Sequence, residues 1–113
     1  MYHSNSTLSS RELREYFREL PFDFEFRAFL KKRNKDQNKF YWGFVIRPLS
    51  EFLNAPKQQV HELMKHRFLV HYQAVETVAG EQVMPYVKST TTLSGSEFET
   101  YCRRIRDWAL TEL

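Results

Sequence analysis

The sequence predicts an α+β fold: a small antiparallel sheet with about four helices in a single domain. Three observations lead there. Apolar residues recur at three- and four-residue steps in four separate stretches, the mark of helices with one buried face. Residues 22–31 instead alternate, with Phe22, Phe24, Phe26, Ala28 and Leu30 against Asp23, Glu25, Arg27 and Lys31, the mark of a half-buried strand. Two further extended stretches flank Ala79-Gly80-Glu81, a hairpin turn. The order helix, strand, helix, helix, hairpin, helix is that of an α+β domain, and 113 residues suffice for one.

Residues 1–8 are read as a flexible N-terminal arm and 9–113 as the domain. Ser9-Ser10-Arg11-Glu12 fits a capping box, in which a Ser oxygen accepts from an early backbone N–H and the Glu reaches back. Leu13, Tyr16, Phe17 and Leu20 follow at helical spacing, and Pro21 stops the helix. After the alternating strand, in which Phe29 breaks the pattern, Asp36 is the candidate N-cap of a second helix. Tyr41, Val45, Leu49 and Phe52 form its apolar stripe, with Trp42 and Ile46 beside it. Pro48 lies inside this helix, removes a backbone donor and is expected to kink or split it.

Pro56 is expected near the first position of a third helix, whose inner face is Val60, Leu63, Met64 and Phe68. Residues 69–78 and 82–92 read as the hairpin strands, with Pro85 marking an edge or a bulge. Ser94-Gly95-Ser96-Glu97 is a second capping box, and Leu93 with Phe98 forms a hydrophobic staple. Phe98, Tyr101, Cys102, Ile105, Trp108 and Ala109 lie along one face of the last helix.

Composition narrows the functions. The net charge is +3, compatible with a nucleic-acid partner. Aromatics are 16% of the residues, more than so small a core needs, so some are expected at an oligomer interface or a ligand surface. A lone Cys102 allows no intramolecular disulfide and fits a reducing cytosol. No window approaches the ~18 apolar residues that span a bilayer. The expectation is a cytoplasmic protein without a membrane partner.

Catalytic chemistry has little support. His61-Glu62-Leu63-Met64-Lys65-His66 is superficially like a zinc-protease motif, but its histidines stand five apart rather than four and turn away from each other. Both are read as surface helix histidines, and His71 adds no third ligand. Cys102 sits on an apolar stripe without a local His and reads as structural. Asp23 and Glu25 share a strand face, as a metal-dependent nuclease would need, or as the solvent face of any amphipathic strand would show. With three glycines and no phosphate-cradling loop, nucleotide hydrolysis is not expected, and neither is a cofactor. The chain is read as non-enzymatic.

What remains is a basic and aromatic set. Lys31, Lys32, Arg33, Lys35 and Lys39 cluster within nine residues, followed by Phe40, Tyr41 and Trp42. Cations that track phosphates and rings that stack on bases are how single-stranded nucleic acid is held. Gln37 and Asn38 would donate to phosphate or base edges, and Trp42 or Phe40 would stack. The alternative is a solvated strand end followed by a helix whose rings all enter the core. A second run, Arg103-Arg104-Ile105-Arg106, lies off the apolar stripe of the last helix.

Lys35-Asp36-Gln37-Asn38-Lys39-Phe40-Tyr41-Trp42 resembles the D-Q-N-R-x-x-W signature of the phage NinB family, the Orf recombination proteins of lambdoid phages. Ser89-Thr90-Thr91-Thr92-Leu93-Ser94-Gly95-Ser96-Glu97-Phe98 resembles the family's S-T-S/T-x-L/M-x-x-x-E-F passage, and residues 60–68 sit where the family carries its next helix. The family's first strand is expected to be short or missing here, because only Met1–Ser6 precede the first helical stretch. The resemblance implies an α+β homodimer that binds single-stranded DNA, contacts the host single-strand-binding protein and helps to load a recombinase. It carries over Asp36, Gln37, Asn38 and Trp42 as signature positions, with Lys39 where the family often has Arg. Asp36 as a helix cap and Trp42 as core remain open. The rival expectations are a module that grips a host replication protein and, behind it, a small metal-dependent nuclease.

Overall fold

Ser9 caps the first helix as its spacing predicts: its hydroxyl accepts from the Glu12 N–H at 3.1 Å, and its own N–H donates to the Glu12 carboxylate. In the computed structural model, which describes residues 8–20 and 35–113 (at Lys35 and Asp36 the backbone alone), this helix is α1, Ser10–Glu19. The second, α2, is continuous through three segments: α-helical over Lys35–Phe40, π-helical over Tyr41–Ile46 and α-helical again over Arg47–Leu53. Then come α3 (Lys57–Phe68), β1 (Val70–Thr77), β2 (Gly80–Val87), a 3-10 turn at Thr90–Thr92 and α4 (Gly95–Glu112). The chain is an α+β domain whose described residues form four helices and one two-stranded antiparallel sheet. The strand expected at 22–31, the arm before Leu8 and the cations Lys31, Lys32 and Arg33 lie outside the described residues. Asp36 is inside α2 rather than ahead of it, which corrects its reading as the cap.

Pro48 stands just past a change of helix type inside α2, which divides the helix into segments as the proline leads one to expect. Proline has no N–H for the carbonyl four residues back, and its ring crowds that carbonyl. The helix runs as a π-helix just before Pro48, which then stands in the first turn of the α-helical segment Arg47–Leu53. The carbonyl deprived of that donor is Phe44 O, and the Tyr16 hydroxyl of α1 donates to it at 2.7 Å. Burial pushes the Tyr16 hydroxyl up to about 12, with Arg47 pulling it down and Glu51 pushing it up, so it stays a donor. The helix ends at Asn54, whose left-handed conformation (φ 56°) suits Asn, and the Ala55 N–H reaches back to Ser50 O.

The core is the meeting of four helical faces. Leu13 and Phe17 of α1, Tyr41, Val45, Ile46 and Leu49 of α2, Val60 and Met64 of α3, and Phe98, Tyr101, Cys102, Ile105 and Ala109 of α4 are buried together. Ser94 closes the second capping box: it accepts from the Glu97 N–H at 3.2 Å and donates its own N–H to the Glu97 carboxylate at 2.8 Å. Leu93 and Phe98 are both buried, as a staple requires. Arg14, midway along α1, donates to the Leu113 carbonyl at 2.9 Å and ties α1 to the C-terminal end of α4.

On α3 the inner face is turned from the expected one. Leu63 is 50% exposed, and His61, read as a surface residue, is buried. A partner explains it: His61 Nδ1 lies 2.7 Å from the Tyr41 hydroxyl, which lies 2.8 Å from the Tyr101 hydroxyl. One chain of hydrogen bonds therefore crosses α3, α2 and α4. Burial, and secondarily Lys65, lowers the His61 pKa from 6.5, with Glu62 opposing. Burial also raises both tyrosines, so the chain of groups is neutral near pH 7.

The hairpin strands are regularly paired from Val70↔Val87 to Thr77↔Gly80, without a bulge at Pro85. The loop is two residues, Val78-Ala79, with Gly80 at φ 97° opening β2, shorter than the turn read from the sequence. Residues 89–92, expected as strand, make the 3-10 turn instead, because the Ser89 hydroxyl accepts from the Thr91 N–H.

Two predictions follow from these bonds. Tyr16→Phe removes the hydroxyl that serves Phe44 O and is expected to cost about 1 kcal/mol in urea unfolding, with the fold unchanged by circular dichroism. The lowered His61 pKa favours the neutral ring in the folded chain. Its contribution is therefore intact above pH 6.5 and is lost as the pH falls below 6.5 through the lower folded value. His61→Gln is expected to flatten the decline of stability below pH 6.5, read as the midpoint of thermal unfolding at half-unit steps.

Candidate nucleic-acid interface

The exposed side of α2 is built by the same geometry that buries Tyr41, Val45 and Leu49. Asn38, Lys39, Gly43, Phe44 and Arg47 are all exposed. Lys39, Gly43 and Arg47 step by four, which keeps them on one side of the helix. Phe44 is 54% exposed and stacks on buried Phe40, with centroids 5.8 Å apart and planes 23° apart. Beside them is a groove of about 310 Å³ lined by Leu8, Tyr16, Gly43, Phe44, Arg47, Pro48 and Glu51. The cations of this side are only lightly engaged: Arg47 meets Glu51 at 3.3 Å in an exposed pair of the kind that contributes little.

The expected site residues divide. Asn38 and Lys39 are at the surface of α2 and within one turn of Gly43. Gln37 is fully buried, which corrects its reading as a surface amide for phosphate or base edges. Trp42 is half-buried: its ring meets Tyr41 edge-on at 5.4 Å and lies 4.7 Å from the His61 ring, so it braces the hydrogen-bonded core. Phe40 is buried as well. The exposed ring of this side is Phe44, which the sequence reading passed over together with Arg47. Pro48, four residues on, was the one hint, read only as a kink or split of the helix and not as a change in which side chains face outward. Lys35 lies in the first described turn of α2.

The second arginine run is partly committed. Arg103 donates to Glu99 at 2.8 Å and Arg106 to Asp107 at 2.9 Å, whereas Arg104 is exposed. Arg104 shares a groove of about 420 Å³ with Arg67, Phe68, Trp108 and the carboxylates of Asp107 and Glu112. The Arg67 guanidinium stands 5.1 Å above the Trp108 ring. This wall is of mixed sign, which suits a phosphate chain less well than the α2 side does.

Comparison with protein-family models, with curated proteins and with solved structures gives no match. Among the described residues no helix is long and apolar enough to cross a membrane, and no group of three or more His, Cys, Asp or Glu side chains is placed to hold a metal ion. Cys102 is buried, and His66 Nδ1 is 2.8 Å from the Glu62 carbonyl. The carboxylates Asp23 and Glu25 lie outside the described residues.

Gly43 is the odd residue of this surface. A Cβ built there meets nothing within 4 Å, so no packing among the described residues requires glycine. Gly43→Ala is expected to raise stability by about 0.5–1 kcal/mol, through the ordinary helix preference, in chemical unfolding. A loss of stability would mean that the backbone at Gly43 is set by something else.

Proposed function

We propose that the chain is a recombination accessory protein of a phage or prophage, a mediator that binds single-stranded DNA and assists the loading of a strand-exchange recombinase. The reading makes it a non-catalytic homodimer in the host cytoplasm that also contacts the host single-strand-binding protein. The observation that carries it is the signature Asp36-Gln37-Asn38-Lys39-Phe40-Tyr41-Trp42, seconded by Ser89–Phe98 and their resemblance to the NinB family. The exposed side of α2 supports the DNA partner. Lys39 and Arg47 stand four residues before and four residues after a glycine that lets a backbone approach closely. Phe44, stacked on Phe40 and 54% exposed, offers its open side to a base, and stacking tolerates any sequence. In this reading the signature divides its labour: Gln37 and Trp42 hold α2 in place, while Asn38 and Lys39 meet the strand. Lys31, Lys32, Arg33 and Lys35, which come just before Asp36 in the sequence, would carry further phosphate contacts.

A second reading, a module that grips a host replication protein, is favoured by the exposed rings of the hairpin, Tyr72 and Tyr86. The two separate in one assay. Fluorescence anisotropy with a labelled single-stranded oligonucleotide, and a duplex control, is expected to show binding that prefers the single strand and weakens steeply with salt. Lys39→Glu is expected to reduce the salt slope by about one or two phosphates, and Phe44→Ala to weaken binding about fivefold to tenfold or more with little change in slope. No binding at low salt by the folded protein would overturn the mediator reading in favour of the interaction module.

A further inference from the structure

Between the root of the β1–β2 hairpin and α4 lies a cleft of about 350 Å³, which shares no lining residue with the groove beside Phe44. The hairpin face turned toward α4 is that of His71 and Tyr86, because Lys88, two residues past Tyr86 on that face, meets Glu97 of α4 at 3.5 Å. The buried part of the lining, Leu69, Leu93 and the Tyr101 ring, is apolar, and the Tyr101 hydroxyl is engaged by that of Tyr41 at 2.8 Å. The exposed part, His71, Thr100 and Arg104, is polar. An apolar floor under a few polar groups is the make-up of a small-molecule site, and this volume is at the small end of the roughly 300–1,000 Å³ that such sites occupy.

The rim narrows the ligand. Arg103 donates to Glu99 and Arg106 to Asp107, but Arg104, between them, has no ion pair or hydrogen bond among the described residues. Asp107 and Glu112 border Arg104 in the adjoining groove, yet neither pairs with it. Of this run of arginines, the one without an acid is thus the one that lines the cleft. Thr100 precedes it by one turn on the same side of α4, and its hydroxyl has no hydrogen bond among the described residues either. A guanidinium and a hydroxyl so placed donate to one acceptor group, and the planar fork of the guanidinium matches a carboxylate. Charge sets the limit. Glu97 lines the same cleft, its carboxylate held by the Ser94 N–H at 2.8 Å and by Lys88. Beside that carboxylate, a ligand with a single negative charge is favoured over a doubly charged phosphate.

We infer that this cleft is a binding site for a small organic carboxylate. Arg104 and Thr100 hold the carboxylate, and a compact apolar body, a single ring or a short chain, lies on Leu69, Leu93 and Tyr101. His71, whose ring rests against Tyr86 with centroids 5.7 Å apart, closes the hairpin side. The site is independent of the DNA reading, with which it shares no residue.

The test uses the full chain without DNA, with phenylbutyrate as the probe and its uncharged amide, phenylbutyramide, as the control. Titration followed by amide NMR is expected to give saturable shifts in residues 69–71 and 96–104 with the acid, and binding weaker by about fivefold or more with the amide. Arg104→Gln is expected to bring the acid down to the affinity of the amide, whereas Arg106→Gln leaves both unchanged. Thr100→Trp, at an exposed helix position, is expected to fill the cleft and remove both, with the circular dichroism of the parent. No shifts at the highest soluble concentration, shifts centred on another surface, equal binding of acid and amide, or a preference for the acid that survives Arg104→Gln would each overturn the proposal. Every one of these results leaves the anisotropy measurement with single-stranded DNA standing.

Discussion

The Tyr41 hydroxyl is the constraint on which the helical body turns. Its ring is fully buried and touches Trp42, His61, Phe98 and Tyr101, so it sits where α2, α3 and α4 converge. A phenol in that position must have its oxygen served, because a buried unserved hydroxyl costs about 1–3 kcal/mol. It has one proton and two neighbours. If it donates to Tyr101, the His61 Nδ1 must carry the proton that donates to it; if it donates to His61, Tyr101 must donate in turn. Both arrangements satisfy all three groups, and both fix the rotation of three helices relative to one another. Apolar packing alone tolerates sliding, whereas a hydrogen bond of 2.7 Å does not.

Pro48 sets the other half of α2. The widened turn before it lets the helix continue, and Tyr16 serves the Phe44 carbonyl that the proline leaves without its usual donor. That single bond links the helix register to α1. It also decides which side chains face outward: with Tyr41, Val45 and Leu49 drawn inward, Gly43, Phe44 and Arg47 stand outside. The proposed DNA surface is thus a by-product of how the core is satisfied. Part of the signature acts inside: Gln37 is buried and Trp42 braces His61, so substituting either acts on the fold before it acts on a ligand.

What the sequence revealed was local, and what it hid was not. Both capping boxes depend on a Ser and a Glu three residues apart, and both stand as read at Ser9/Glu12 and Ser94/Glu97. The α+β class rests on periodicity, which is also local. His61 was misplaced because its partner is twenty residues away on another helix. A stripe of Val60, Leu63 and Met64 fits the helical period as well as Val60, His61 and Met64 does, and hydropathy prefers the leucine. Phe44 was missed for a related reason: a fixed period of 3.6 cannot follow a π-helical turn. The hairpin strand was read too long because Thr90–Thr92, rich in β-branched residues, is captured by the Ser89 hydroxyl.

The placement of charge constrains any dimer of the mediator reading: one joined through the α2 side would bury Lys39 and Arg47 and leave the DNA reading without a surface. Gly43 lies on that side. It weakens an exposed helix by about 1 kcal/mol relative to alanine, and no side chain among the described residues needs the space. In the mediator reading that open space would admit a strand's backbone between Lys39 and Arg47, so Gly43→Ala would weaken DNA binding while it stabilised the helix.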